Sequence, residues 1–220
     1  MTNLFIATGN AHKVAEIRAV LGPEFTVFSQ RDANVKLEPE ETGATFADNA
    51  RIKAVTWAAY FAADVCSLNL GYVLADDSGL EVDALGGAPG VHSARFAAVD
   101  DGRRGNSPDA ENNAKLLRLL AEVPAERRTG RFRCALALTP VQPGQSALDL
   151  AAATRIFEGA CPGRLSTAPA GIGGFGYDPL FVPDGYAASF AELGEDVKNQ
   201  LSHRARALAE LVKHFRAVAR

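Results

Sequence analysis

The feature that most limits what this chain can become is the stretch Tyr72-Val73-Leu74-Ala75-Asp76-Asp77-Ser78-Gly79-Leu80. Its apolar part has the length of a buried strand, and it ends abruptly in two carboxylates, a hydroxyl and a glycine. Carboxylates at the end of a buried strand are costly unless a cation compensates them. A divalent metal is a natural compensator, because hard cations such as Mg²⁺ choose carboxylate oxygens. Gly79 then permits a tight turn or a close approach of backbone to ligand. Asp, Ser and Gly are equally ordinary turn residues, so the stretch alone also describes a strand followed by an Asp-rich turn.

The amino-terminal segment offers a second polar junction. Leu4 to Ala7 is an apolar run that stops at Thr8-Gly9-Asn10, and Val14, Ile17 and Leu21 then recur on one helical face. Asn10 is a good N-cap and Gly22-Pro23 a good stop. Strand, glycine turn and helix N-terminus together can bind phosphate through backbone N–H groups, with Lys13 in the first turn reaching back. The spacing is not that of a P-loop. A plain capped turn explains the same residues. Phe25 to Ser29 reads as a second strand and Lys36 to Gly43 as an acidic loop carrying Glu38, Glu40 and Glu41. Thr45 and Asp48 open a long helix with Phe46, Ala50, Ala54, Trp57 and Phe61 on its apolar face. Lys53 sits one position off that stripe; it either snorkels to water or is aimed at a phosphate near Asp77.

Beyond the central stretch, Gly86 to Phe96 is a glycine-rich loop ending in Arg95, and Asp100 to Pro108 is polar. Ala110 to Val123 is expected to be helical, with Leu116, Leu117, Leu119 and Leu120 in the core. Phe132, Cys134, Leu136 and Leu138 fall on one face against Arg131 and Arg133, which marks a strand, and Ala151 to Ala160 is its expected partner. Gly171-Ile172-Gly173-Gly174-Phe175-Gly176 fits GxGxxG literally. Tyr177-Asp178-Pro179 and a strand-like Leu180-Phe181-Val182 follow where a dinucleotide site needs a helix, so that reading is rejected. A backbone presenting one aromatic ring, Phe175, beside one acid, Asp178, suits a nucleobase. The carboxy-terminal helical pattern points Leu208, Leu211, Val212, Phe215 and Val218 inward, and Lys198, Ser202, His203 and Arg204 precede that face as candidate donors.

Strands alternating with helices, with some antiparallel pairing, define an α/β class. The 220 residues suit one large domain or two intimate lobes. A net charge of −3 argues against a duplex-binding surface, and Arg103-Arg104 and Arg127-Arg128 read as solvated clusters. No apolar run is long enough to span a membrane, and the first residues lack the basic region of a signal peptide. Cys66, Cys134 and Cys161 have no CxxC spacing and read as structural thiols in a reducing compartment, with no zinc site implied.

Seven motifs now stand in order: Thr8-Gly9-Asn10 with Lys13 and Glu16; Glu41-Thr42-Gly43; Asn49-Ala50 with Lys53-Ala54; Ala75 to Leu80; Gly86 to Gly90 with Ser93-Ala94-Arg95; Gly173 to Pro179; and Ser202-His203-Arg204 with Ala207-Leu208. Any one is weak. Together, over about residues 4 to 210, they resemble the inosine triphosphate pyrophosphatase family, the house-cleaning XTP/dITP diphosphatases. The resemblance implies an elongated α/β fold in two lobes around a long mixed β-sheet with flanking helices, the site lying in the cleft between the lobes. It also implies a cytoplasmic, Mg²⁺-dependent homodimer that cleaves ITP, dITP and XTP between the α and β phosphates. Carried over, Asp77 is general base and metal-side carboxylate and Glu41 the second metal-side acid. Thr8, Gly9, Asn10, Ala11, His12, Lys13, Lys53 and Ser78 hold the triphosphate. Phe175, Gly176, Tyr177, Asp178, Lys198, His203 and Arg204 hold nucleoside and base. The choice of Asp77 over Asp76 comes from the resemblance, not from spacing.

Elementary chemistry is consistent with these roles, since phosphate hydrolysis needs charge neutralisation, a cationic clamp and a base for water. A donor such as Arg204 can bond O6 of hypoxanthine or xanthine but meets a donor in the amino group of adenine. Such a mismatch can give selectivity of roughly 10⁴. Rejection of guanine has no assignable residue. A dTTP or UTP pyrophosphatase and a nucleotide sensor without turnover are the alternatives; Ser202-His203-Arg204 speaks against the first, and the presence of Asp77 and Lys53 against the second.

Overall fold

The computed structural model describes residues 1–63, 69–102 and 105–218. Cys66, Arg103 and Arg104, singled out above, lie outside them. The chain is α/β, with a six-stranded mixed sheet in the order β2 (Phe25–Ser29), β1 (Thr2–Ile6), β3 (Tyr72–Val82), β4 (Thr129–Pro140), β5 (Arg155–Leu165), β6 (Phe181–Pro183). It divides into two compact units, the first formed by Met1–Asp77, Cys134–Glu158 and Ala207–Arg220, the second by Ser78–Arg133 and Gly159–Arg206.

In the first unit β1 (Thr2–Ile6) lies between β2 (Phe25–Ser29) and β3 (Tyr72–Val82), parallel to both. Leu4 pairs with Val27 on one side and Tyr72 on the other. Both faces of β1 are covered. Leu4 and Ile6 join Val14 and Ile17 of α1 (Ala11–Val20) and Leu208 and Leu211 of α8 (His203–Val218). Phe5 points the other way, its ring 4.7 Å from Trp57 and 4.6 Å from Phe61 on α3 (Phe46–Ala63). A parallel strand buried on both sides is the ordinary consequence of helical crossovers. The cap predicted at Asn10 forms, its side chain accepting from the N–H groups of His12 and Lys13. Thr45 Oγ1 likewise accepts from Asp48 N, but donates to the Asp48 carboxylate where a full capping box would use its backbone. A short α2 (Gln30–Ala33) follows β2 directly, boxed by Ser29 and Asp32.

The central stretch corrects its expectation. β3 does not stop at the aspartates but continues through Asp76, Asp77, Ser78 and Gly79 to Val82. Gly79 is no turn: a Cβ there would lie 2.3 Å from Ser93 Oγ and 2.7 Å from the Gly90 carbonyl. Its missing side chain lets the 3₁₀ segment Gly90–Arg95 dock on the strand, where Ser93 Oγ accepts from Leu80 N and donates to Gly90 O.

The second unit packs Leu80 and Val82 of β3 with Phe132 of β4 (Thr129–Pro140), Leu116 and Leu120 from around α5 (Asp109–Leu119), and Phe181 and Phe190. Phe132, Phe181 and Phe190 form an aromatic run with centroids 4.6 and 5.4 Å apart. Leu119, expected inside, is 45% exposed, whereas Leu116 and Leu120 are fully buried. β5 (Arg155–Leu165) pairs antiparallel with β6 (Phe181–Pro183). Its expected start at Ala151 is also corrected, since Ser146 and Asp149 form a capping box that winds α6 (Ala147–Ala153) first. The polar segment after Phe96 holds a short α4 (Ala98–Asp101). The carboxy-terminal pattern is two helices, α7 (Phe190–Leu201) and α8, meeting at Ser202, and Val218 at the far end is exposed.

Candidate active site

The first unit concentrates charge at β3. Asp76 is completely buried and Asp77 nearly so. Lys53 does not snorkel. It lies on the inner face of α3, and its Nζ is 2.8 Å from Asp77 Oδ1, 3.0 Å from Glu41 Oε1 and 2.8 Å from the Asp76 carbonyl. The helical repeat explains this placement: Asn49, Lys53 and Trp57 are spaced four apart and all buried. Asn49 Nδ2 reaches Asp77 Oδ2 at 3.4 Å and Asn49 Oδ1 accepts from Gly43 N at 2.8 Å, so one side chain ties the aspartate to the end of the acidic loop. Lys13, from the first turn of α1, pairs with Asp76 Oδ1. Cys134 Sγ of β4 donates to Asp76 Oδ2 at 3.2 Å.

These contacts set the proton affinities. Burial raises the pKa of Asp77 above the usual carboxylate value, although Lys53 and Lys13 pull it down. Burial pulls Lys53 down, but Asp77 and Glu41 more than offset it, so Lys53 stays charged with a raised pKa.

Thr8 to Asn10 form the turn into α1, and Gly9 to His12 are exposed. Part of its donor capacity is used internally: Asn10 N donates to Thr8 Oγ1 at 3.2 Å, and Asn10 takes the N–H groups of His12 and Lys13. Glu41 is the most open member of the cluster, its side chain 30% exposed. Glu41 and Asp77 converge on one ammonium group, and among the described residues no group of three or more His, Cys, Asp or Glu could hold a metal. Two hard-oxygen donors fit Mg²⁺, which binds through one or two carboxylates and completes its shell with water and substrate phosphate.

The second unit holds another set. Asp178, almost fully buried, pairs with Lys198 and accepts from Phe175 N at 2.8 Å. Lys198 Nζ lies 4.4 Å from the centroid of the half-buried Phe175 ring. Gly174 makes this turn possible: its φ is +73°, and a Cβ would meet Asp178 Oδ2 at 2.2 Å. Gly176 is clamped from α5, its N–H donating to Asp109 Oδ2 at 2.7 Å and its carbonyl accepting from Asn113 Nδ2 at 3.0 Å. Tyr177 turns inward, its hydroxyl donating to Ser93 O at 2.9 Å, and burial pushes its pKa upward. Arg204, 1% exposed, donates from Nη2 to Ser78 Oγ at 2.9 Å. His203 stacks on Phe132, centroids 4.9 Å apart and 16° between planes.

None of Asn49, Cys134, Asp109 and Asn113 was expected in the site, although Asn49 stands in one of the seven motifs and Cys134 on the expected strand. The four-residue step from Asn49 to Lys53 was a legible signal; no pattern joins Asp109 to Gly176 across 67 positions.

A sheet strand whose buried carboxylates are met by lysines from two helices has the equipment to hold a polyanion and activate water. The Ham1 family model matches residues 4–214, and the chain belongs to that family. It is 44% identical over 217 residues to a protein of Opitutus terrae named dITP/XTP pyrophosphatase, covering 96% of this chain and 97% of that one. Its fold is similar to the Ham1 protein of Staphylococcus aureus, with a TM-score of 0.77, 30% identity and full coverage of both chains. A HAM1 protein from Coxiella burnetii gives a TM-score of 0.77 at 34% identity, covering 99% of this chain and 100% of that one.

Proposed function

We propose that this chain hydrolyses the non-standard purine nucleoside triphosphates dITP, ITP and XTP to monophosphate and pyrophosphate, with Mg²⁺ as cofactor. The observation that carries the proposal is the interleaving of Lys13 and Lys53 with Glu41, Asp76 and Asp77 around β3. The name of the Opitutus terrae relative supports the substrate class.

Asp77 acts as general base: its ionised carboxylate accepts a proton from the attacking water. Lys53, held by three oxygens, favours the ionised form of Asp77 and supplies positive charge for the phosphates. Thr8 to Lys13 and Ser78 hold the triphosphate. Glu41 and Asp77 would hold Mg²⁺, which when bound neutralises charge on the phosphate oxygens. Phe175 stacks on the base, while Gly176, Tyr177, Asp178, Lys198, His203 and Arg204 bind or shape the nucleoside site. Two of these act from beneath: Tyr177 anchors the turn through Ser93, and Asp178 fixes Lys198 and the Phe175 backbone. A homodimer acting on the cytoplasmic nucleotide pool completes the reading, on the strength of the family resemblance; a monomeric mass by light scattering overturns the first half.

The test is pyrophosphate release from ITP, XTP, dTTP, ATP and GTP, with and without Mg²⁺, by wild type and Asp77→Asn. Mg²⁺-dependent release from ITP and XTP, reduced at least about 10²-fold in the variant, is expected. Preference for dTTP would overturn the substrate class, and no release from any nucleotide the catalytic reading.

A further inference from the structure

Two aspartates stand side by side on β3, and only one has a role in the mechanism above. We propose that Asp76 is a positioning residue that holds Lys13 ready for the triphosphate. This deepens the proposed function and rests on its assignment of Lys13 to phosphate.

The two carboxylates differ in what can reach them. The Asp77 side chain keeps 10% of its surface exposed, whereas that of Asp76 keeps none. Asp76 Oδ1 accepts from Lys13 Nζ and Oδ2 from Cys134 Sγ, so each oxygen already has a donor from another element of the first unit. A carboxylate in that state is a poor metal ligand or base, since either role requires approach by an ion or water. It is well suited to another task. Lys13 keeps 15% of its side chain exposed, so a side chain anchored at a wholly buried carboxylate still reaches solvent. An ammonium has three donors, of which Asp76 uses one. Anchoring the long side chain in advance removes rotamer freedom that phosphate binding would otherwise have to restrict. The Asp76 carbonyl also takes Lys53 Nζ at 2.8 Å, so one residue tethers both lysines, one through its side chain and one through its backbone.

The experiment is a double-mutant cycle with Asp76→Asn, Lys13→Met and the pair, each measured for binding of inorganic tripolyphosphate by calorimetry in magnesium buffer and for thermal stability. Asn keeps the shape of Asp76 but brings an amide with no charge to hold the ammonium. If Asp76 acts through Lys13, Asp76→Asn weakens tripolyphosphate binding about tenfold, and adding it to Lys13→Met weakens binding no further. The double variant should also melt above Lys13→Met alone, which leaves a buried carboxylate without its cation. Asp76→Asn binding as tightly as wild type overturns the proposal, as does a loss fully additive with Lys13→Met, which marks a merely structural residue. Wild type failing to bind tripolyphosphate overturns it too. Tripolyphosphate binding that follows the cycle while ITP is not cleaved upholds the positioning role and sinks only the hydrolytic reading.

Discussion

Asp77 and Cys161 show how burial turns one side chain into a pH-dependent property. A base must be ionised to act, and burial raises the pKa of Asp77, with Lys53 the foremost group opposing it. In the metal-free protein the Asp77 carboxyl should therefore titrate at higher pH than a solvent-exposed aspartate. Lys53→Gln should move that titration higher still. Carboxyl ¹³C NMR without Mg²⁺ checks this, and an unmoved titration in the variant removes Lys53 as the influence on the base. Burial likewise pushes the Cys161 thiol up to about 11. At pH 8 only about one molecule in a thousand then carries the thiolate, so iodoacetamide should modify Cys161 far more slowly than in the urea-unfolded chain, as read by peptide mass spectrometry. The linkage has a definite sign. The folded state keeps the Cys161 proton after the unfolded chain has lost it, so this contribution to stability is whole below pH 9 and falls as pH rises through about 11.

Elements here are set by close approach and by caps. Gly79→Ala would force a methyl into Ser93 Oγ and the Gly90 carbonyl. It should cost about 1–3 kcal/mol in urea denaturation, as overpacking does, although alanine suits a strand backbone no worse than glycine. Asn10→Ala removes the acceptor for two N–H groups of α1 and should cost about 1 kcal/mol. The same change loosens the turn that presents Lys13, so KM for the triphosphate should rise more than kcat falls. Equal effects on both would separate the cap from the site. Within α7, Gly194 has φ 80° and ψ 173°, values foreign to a helix, and marks a kink between Phe190 and Lys198, both of them buried.

For the molecule as a whole, each unit has its own apolar core, and the single tryptophan, Trp57, belongs to the first. Leu74→Ala should lower the midpoint of the Trp57 fluorescence transition, corresponding to about 2–5 kcal/mol for a fully buried leucine. A shift under about 1 kcal/mol would mean that the site refills. Much of this architecture could be read along the chain. A short apolar run located β1, and the helical repeat located α1 and α3, because burial of one helix face leaves its repeat in the residues themselves; the Asn10 cap needed only a local bond. Local order also ruled out a dinucleotide fold at Gly171 to Gly176. What periodicity could not carry was anything that depends on distant partners. β3 runs on through two aspartates because Lys13, Lys53 and Cys134 arrive from other elements to satisfy them. Lys53 turns inward for the same reason, and Gly79 serves a neighbouring segment instead of a turn. Sequence determined the elements and the chemical inventory; tertiary structure decided which charges meet, since a buried ion is stable only where a partner is brought to it.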